Sequence, residues 1–207
     1  MNRIPTKVLI TGGAGFIGSH ICDRLVEMGV KVICVDNLIT GNAENISHLV
    51  GNENFEFLEG DITDFEFLLD SMEGCDSVNH QAAIGSVPRS VEDPLTSNLY
   101  NVDGTLNVFF AAKESGIKRV VFASSSSVYG DEESLPKVEG KIGVQLSPYA
   151  VTKRVGELYA NVFNDLYGME MIGMRYFNIF GPRQSPDGAY AAVIPKFIKK
   201  IIEGEGP

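Results

Sequence analysis

The chain has 207 residues, 44% of them hydrophobic and 21% charged. This composition excludes disorder as the default and suits one α/β domain with a large core, or one domain plus a piece of a second. Net charge is −10 with no run of Lys or Arg, which argues against nucleic acid or an anionic membrane as a partner, since both need a basic face. Cys22, Cys34 and Cys75 have neither metal-ligand spacing nor even pairing and read as small buried hydrophobes in a reducing compartment. The first residues do not read as a signal peptide, and no apolar run reaches the roughly 18 residues of a membrane span. A cytoplasmic protein is the default expectation.

In chain order, residues 7–11 (KVLIT) form a first short strand. Residues 15–28 follow with Phe16, Ile17, Ile21, Leu25 and Val26 at helical spacing. Further strands are predicted at 30–36, 55–61, 77–83, 119–125 and 170–177, and helices near 64–72, 95–115, 148–167 and 194–203. Apolar strands alternating with helices mean a parallel sheet covered on both faces, a doubly wound Rossmann architecture that binds ligands at the carboxyl ends of its strands. Residues 130–146 and 181–189 read as loops. The end at Gly204-Glu205-Gly206-Pro207, a turn just past a helix, reads as a partial sequence. Residues 1–180 are expected to form the dinucleotide-binding domain, and 181–207 the beginning of a substrate domain.

Thr11-Gly12-Gly13-Ala14-Gly15-Phe16-Ile17-Gly18 joins the first strand to the first helix. The glycines fit Gly12-x-x-Gly15-x-x-Gly18 and equally Gly13-x-Gly15-x-x-Gly18. Either spacing lets the chain turn tightly and bring its backbone against a pyrophosphate, which meets the free N–H groups and positive dipole end of the helix. Asp36 ends the second strand, where an acid accepts from the adenosine ribose hydroxyls and repels a 2′-phosphate. The cofactor read from this pattern is NAD rather than NADP. Asp61, at the end of the third strand, is a candidate acceptor for the adenine amino group. Ala82 and Ala83, at the end of the fourth, would let the backbone come close to the cofactor.

Ser147-Pro148-Tyr149-Ala150-Val151-Thr152-Lys153 opens a helix, with Ser147 as N-cap and Pro148 in the first turn. Tyr149 and Lys153 share a face. A neighbouring ammonium favours the phenolate, and bringing the tyrosine towards pH 7 takes about 4 kcal/mol, asked here of Lys153 together with a positive nicotinamide ring. The phenolate would take a substrate hydroxyl proton as hydride leaves the same carbon, and Lys153 would also bond the nicotinamide ribose. The hydroxyls of Ser124-Ser125-Ser126-Ser127 would steady charge on that substrate oxygen.

Taken together, the glycine loop, Asp36-Asn37, Asp61-Ile62, Asn101-Val102-Asp103-Gly104-Thr105, the serine run ending at Tyr129-Gly130, Tyr149-x-x-x-Lys153 and Arg175-Tyr176-Phe177-Asn178-Ile179-Phe180-Gly181-Pro182 resemble the extended short-chain dehydrogenases/reductases. Within them the chain is similar to nucleotide-sugar 4-epimerases of the UDP-glucose/UDP-N-acetylglucosamine type, on Gly85-Ser86-Val87-Pro88-Arg89-Ser90, Leu146-Ser147-Pro148-Tyr149-Ala150 and Gly188-Ala189-Tyr190-Ala191-Ala192-Val193-Ile194-Pro195-Lys196-Phe197. The resemblance implies a homodimeric isomerase in which bound NAD takes hydride from C4 of a UDP-sugar and returns it to the other face. It implies that Tyr149 is the acid/base, Lys153 tunes it, and Ser125 is the hydroxyl partner, with Ser126 as the second choice. It places Phe16, Ile17, Asn37, Ile62, Asn101, Ser124 and Tyr176 at the cofactor. Asn178 falls at the substrate diphosphate, Ala192 and Val193 at the nucleotide, and Arg89, on a loop, within reach of substrate. Sugar 4,6-dehydratases carry Thr-Asp-Glu in the serine segment and UDP-glucuronate decarboxylases also carry an acid there; this chain has none. UDP-glucuronate 4-epimerases share the serine pattern and remain the nearest competitor. The resemblance also implies that most of the substrate domain lies beyond residue 207, so that this stretch alone would bind NAD but turn over poorly.

Overall fold

The computed structural model describes residues 4–186 and 193–204. Six strands form one sheet: β1 (Lys7–Thr11), β2 (Lys31–Asp36), β3 (Phe55–Glu59), β4 (Ser77–His80), β5 (Arg119–Ser125) and β6 (Glu170–Tyr176). Their spatial order is β3-β2-β1-β4-β5-β6, and every pairing is parallel. This is the doubly wound order expected from the alternating pattern, with a topological switch point between β1 and β4.

Alternate residues of the central strands face opposite layers. Leu9, Ile33, Val35, Val78 and Val120 join Leu68, Phe109 and Phe163 on one side. Val8, Ile10, Val32 and Cys34 join Cys22 and Ile46 on the other. Cys22, Cys34 and Cys75 are buried free thiols, in keeping with their reading as small hydrophobes.

The helices are α1 (Phe16–Glu27), α2 (Phe65–Ser71), α3 (Val87–Glu92), α4 (Pro94–Asn98), α5 (Thr105–Glu114), α6 (Pro148–Tyr167) and α7 (Val193–Ile202). Three elements, two helical regions and one strand, differ from expectation. The single helix predicted over 95–115 is α4, a π-helical stretch at Leu99–Gly104 and α5; the widened turn places Asn101 inward, where its side chain holds the neighbouring loop. The fourth strand stops at His80 rather than running to 83. The Gln81 N–H still donates to the Thr11 carbonyl at 3.0 Å, but Gln81, Ala82 and Ala83 line a groove rather than extend the strand. Arg89 sits in α3 rather than on a loop, because the Ser86 side chain caps the Arg89 N–H at 3.3 Å and Pro88 occupies the first turn. The Ser147 cap on α6 is present, with the Ala150 N–H donating to Ser147 Oγ at 3.1 Å, and α6 ends at left-handed Gly168. Among the described residues no helix is long and apolar enough to cross a membrane.

Candidate functional site: a dinucleotide groove ending at a tyrosine and a lysine

A groove of about 620 Å³ runs along the carboxyl edge of the sheet. Gly12 opens it with φ +69° and hangs from β2 through a 2.8 Å bond from its N–H to the Val35 carbonyl. A Cβ on Gly12 would lie 2.5 Å from the Ala82 nitrogen. A Cβ on Gly18 would collide with the Gly12 carbonyl, and one on Gly13 with the Cys34 sulfur. The two glycine spacings open in the sequence therefore divide the labour: Gly12 makes the turn, Gly13 leaves room for the buried thiols, and Gly18 lets α1 approach the loop. Gly15 is the N-cap of α1, and no side chain caps it. The first-turn N–H groups beside Phe16 and Ile17 thus face the groove without a side-chain acceptor, as an incoming pyrophosphate requires.

Asp36 is buried and accepts from the Ala14 N–H at 3.0 Å and the Leu38 N–H at 2.8 Å. Burial pushes its carboxyl above the usual range despite these two bonds. A carboxylate has about four acceptor positions, so two remain for ribose hydroxyls. Asn37 and Ile62 line the groove beside it. Asp61 does not. Its carboxylate already accepts from the Thr63 N–H and hydroxyl, from Asn37 Nδ2 at 2.7 Å and from the Tyr100 hydroxyl at 3.2 Å. Burial raises its pKa, but these bonds outweigh burial and hold it low. Asp61 thus braces Asn37 and Tyr100 rather than presenting a spare acceptor.

Asn101 is likewise committed behind the groove. Its Oδ1 accepts from the Ile84 N–H at 2.8 Å, and its Nδ2 donates to the Ile84 carbonyl and to Thr152 Oγ1. It pins the chain leaving β4, including Ala82 and Ala83, to α6.

At the far end the groove is lined by Ser124, Ser125, Tyr149, Lys153 and Tyr176. Tyr149 and Ser125 line the same end of the groove, and the Ser125 hydroxyl favours the Tyr149 phenolate. Ser125 Oγ accepts from the Ser127 N–H and hydroxyl at 3.1 and 2.9 Å. The structure thus brings Ser125 to the tyrosine, while Ser126 is absent from the groove lining. Lys153 Nζ donates to the Ala123 carbonyl at 2.9 Å and lies 5.9 Å from the Tyr149 ring centre. Burial lowers the Lys153 pKa to about 8. Burial also raises Tyr149 above the ordinary tyrosine value, against the Ser125 hydroxyl, which lowers it. The expected drop towards neutrality is therefore not set by the protein pair alone; desolvation of the phenolate wins until a further positive charge enters. Ser124 contributes to the wall, but its hydroxyl turns away to Glu157 at 2.6 Å.

Arg89 and Asn178 stand on the groove lining. Val193 is exposed at the start of α7 and does not line the groove; Ala192 lies outside the described residues.

Three polar residues escaped the sequence reading. Glu157 is on the same face of α6 as Lys153, four residues on. Gln81 lines the groove, its buried Oε1 having no hydrogen-bond partner. His80 bridges Thr11 Oγ1 at 2.6 Å and Thr105 Oγ1 at 2.9 Å, tying β1 and β4 to α5. A lone histidine in an apolar strand was its only signal.

Residues 8–207 match the family profile described as Epimerase: NAD dependent epimerase/dehydratase family. The chain belongs to that family. It is 44% identical over 204 residues to a putative UDP-glucose 4-epimerase of Methanocaldococcus jannaschii, covering 97% of this chain and 64% of the relative. Among solved structures it is similar to a UDP-N-acetylglucosamine 4-epimerase from Methanobrevibacter ruminantium in complex with UDP-N-acetylmuramic acid, with TM-score 0.94 and 44% identity over 99% of this chain and 65% of that one. It is also similar to the UDP-glucose 4-epimerase of Thermus thermophilus in complex with NAD, with TM-score 0.86 and 36% identity over 96% of this chain and 63% of that one. The chain thus spans just under two thirds of these relatives. NAD is the cofactor, and the uncapped helix start, the glycine cradle and the half-used Asp36 carboxylate fit it.

Burial, then the charge of Lys153, lowers the His80 pKa to about 3. An unfolded histidine takes its proton near 6.5. Between these values the unfolded chain carries one more proton at this site, so its contribution to stability falls as pH falls. Wild type should lose about 1.4 kcal/mol per pH unit more than His80→Asn between pH 6 and 4, measured by urea unfolding. Parallel pH profiles would contradict the buried neutral imidazole.

Proposed function

We propose that this chain carries the cofactor site and proton-transfer groups of a UDP-sugar 4-epimerase. The observation that carries the reading is Tyr149, with Ser125 beside it in the lining and Lys153 5.9 Å from its ring centre, at the end of an NAD groove. Bound NAD would supply the acceptor and later the donor of the C4 hydrogen, and a positive ring beside Tyr149. Tyr149 takes the proton of the sugar 4-hydroxyl and returns it to the same oxygen after the 4-keto sugar has turned over. Ser125 steadies the charge on that oxygen. Lys153 keeps a positive charge behind the phenol below about pH 8. The run Ser125-Ser126-Ser127 holds no acid where elimination of water would need one, which favours plain epimerisation over dehydration.

Arg89 and Asn178, on the groove lining, are the proposed contacts to the substrate diphosphate end. Residues 181–207 are proposed to begin a substrate-binding lobe. In support, none of the described residues of α7 is buried, and Ile194, Phe197, Ile198, Ile201 and Ile202 present an uncovered apolar face. The buried free thiols fit a cytoplasmic setting. A homodimer is proposed through α5 and α6, where Phe110, Val151, Leu158, Val162 and Leu166 are exposed.

The full-length protein, given UDP-galactose or UDP-N-acetylgalactosamine, should yield the 4-epimer by chromatography. Tyr149→Phe should lower kcat by about 10²- to 10⁴-fold while retaining bound NAD. A dehydrated 4-keto product, or one free NADH per turnover, would overturn the reading. Sedimentation should give the mass of two chains, and Leu158→Glu with Val162→Glu should give one; a wild-type monomer at micromolar concentration would exclude the α5–α6 interface.

A further inference from the structure

Tyr149, Lys153 and Glu157 stand four residues apart on α6, and each meets the end of β5. Tyr149 shares the groove end with Ser125, Lys153 bonds the Ala123 carbonyl, and Glu157 accepts from the Ser124 hydroxyl at 2.6 Å. The first two rungs face the groove, whereas Glu157 does not line it. Glu157 is instead the hub of a closed set of bonds. Its Oε1 accepts from Ser124 Oγ and from Arg175 Nε at 2.8 Å. Its Oε2 accepts from Arg175 Nη2 at 2.9 Å and Arg154 Nη1 at 3.0 Å.

Arg175 extends the set. It lies directly across from Ser124 in the β5–β6 ladder. Its Nη1 donates to the Glu139 carbonyl, and its guanidinium lies 4.8 Å from the Tyr129 ring centre. Tyr129 closes the 3₁₀ turn whose N-cap is Ser125. One carboxylate therefore ties α6 to the ends of β5 and β6 and to both sides of the turn that aims the Ser125 hydroxyl.

We propose that Glu157 is a positioning residue that fixes the Ser125 hydroxyl against the Tyr149 phenol by locking Ser124 and Arg175 to the tyrosine's own helix. The proposal rests on the epimerase reading for its kinetic consequence, but not for its structural one. With the clamp opened, Ser125 loses its fixed aim, its support of the phenolate weakens, and Tyr149 ionises at higher pH. Glu157→Gln is the direct test. It keeps the volume and an acceptor for Ser124, but sets an amide donor against the donors of Arg175 and Arg154. Ser124→Ala is the milder variant; it removes one hydroxyl and leaves the ion pairs intact.

In the full-length protein, Glu157→Gln should lower kcat 10- to 100-fold with KM for the UDP-sugar within about threefold and the NAD content unchanged. The limb of the pH–rate profile that reports Tyr149 should move to higher pH. Ser124→Ala should shift both in the same direction, and the double variant should be no worse than Glu157→Gln alone. The activity-independent readout is the phenolate absorbance titration of Tyr149, isolated by subtracting the Tyr149→Phe titration. It should move alkaline in both variants even if the wild type turns over no UDP-sugar, a result that would sink the epimerase reading and leave the clamp standing. A folded Glu157→Gln or Ser124→Ala protein with an unmoved Tyr149 titration would overturn the clamp. So would a loss of kcat that only tracks lost NAD.

Discussion

The turn after β1 lies so close to the chain leaving β4 that a Cβ on Gly12 would sit 2.5 Å from the Ala82 nitrogen. That approach is the constraint on which the site depends. It occurs at the switch point of the sheet, where consecutive crossovers go to opposite faces and leave a crevice. Left-handed Gly12 lets the chain turn there, and Gly18 lets α1 start directly above it. Behind the contact, His80 joins Thr11 to Thr105, and Asn101 holds Ile84. The two backbone segments meet closely at this point and are held together by polar side chains with few spare bonds.

Electrostatics at the other end follow from the same burial. Desolvation raises Tyr149 and lowers Lys153 to about 8. Both shifts favour the uncharged forms; at neutral pH the phenol stays protonated, while Lys153 still carries most of its charge. Entry of a positively charged ring changes that balance in favour of the phenolate. On the proposed reading, this would couple proton removal to cofactor occupancy.

The fold was legible because its signals are local. Continuous apolar strands, the Ser147-Pro148 cap and the glycine turn each point to one conformation, and the strand order followed from their alternation. The α3 helix was missed although Ser86-Val87-Pro88 carries a cap and a first-turn proline, because only one and a half turns follow. The π turn at Leu99–Gly104 has no such signal; it exists to place Asn101 against Ile84, a contact seventeen residues away in sequence. At the site, Gly12, Gly18, Asp36, Tyr149 and Lys153 were readable, since turn chemistry, strand ends and helix spacing expose them. Those that brace it were not. Asp61 and Asn101 look like cofactor ligands until their bonds are counted, and Glu157 looks like a surface acid until Arg175 arrives from another strand. Their roles are set by long-range partners that no spacing reveals.

The central claim is that hydrogen leaves and returns to one sugar carbon without leaving the enzyme. The most direct test uses a UDP-sugar deuterated at C4, incubated with the full-length protein in ordinary water and excess free NAD, with product examined by mass spectrometry and NMR. The account predicts that the 4-epimer keeps its deuterium at C4. Deuterium lost to solvent, or found in released NADH, would contradict it.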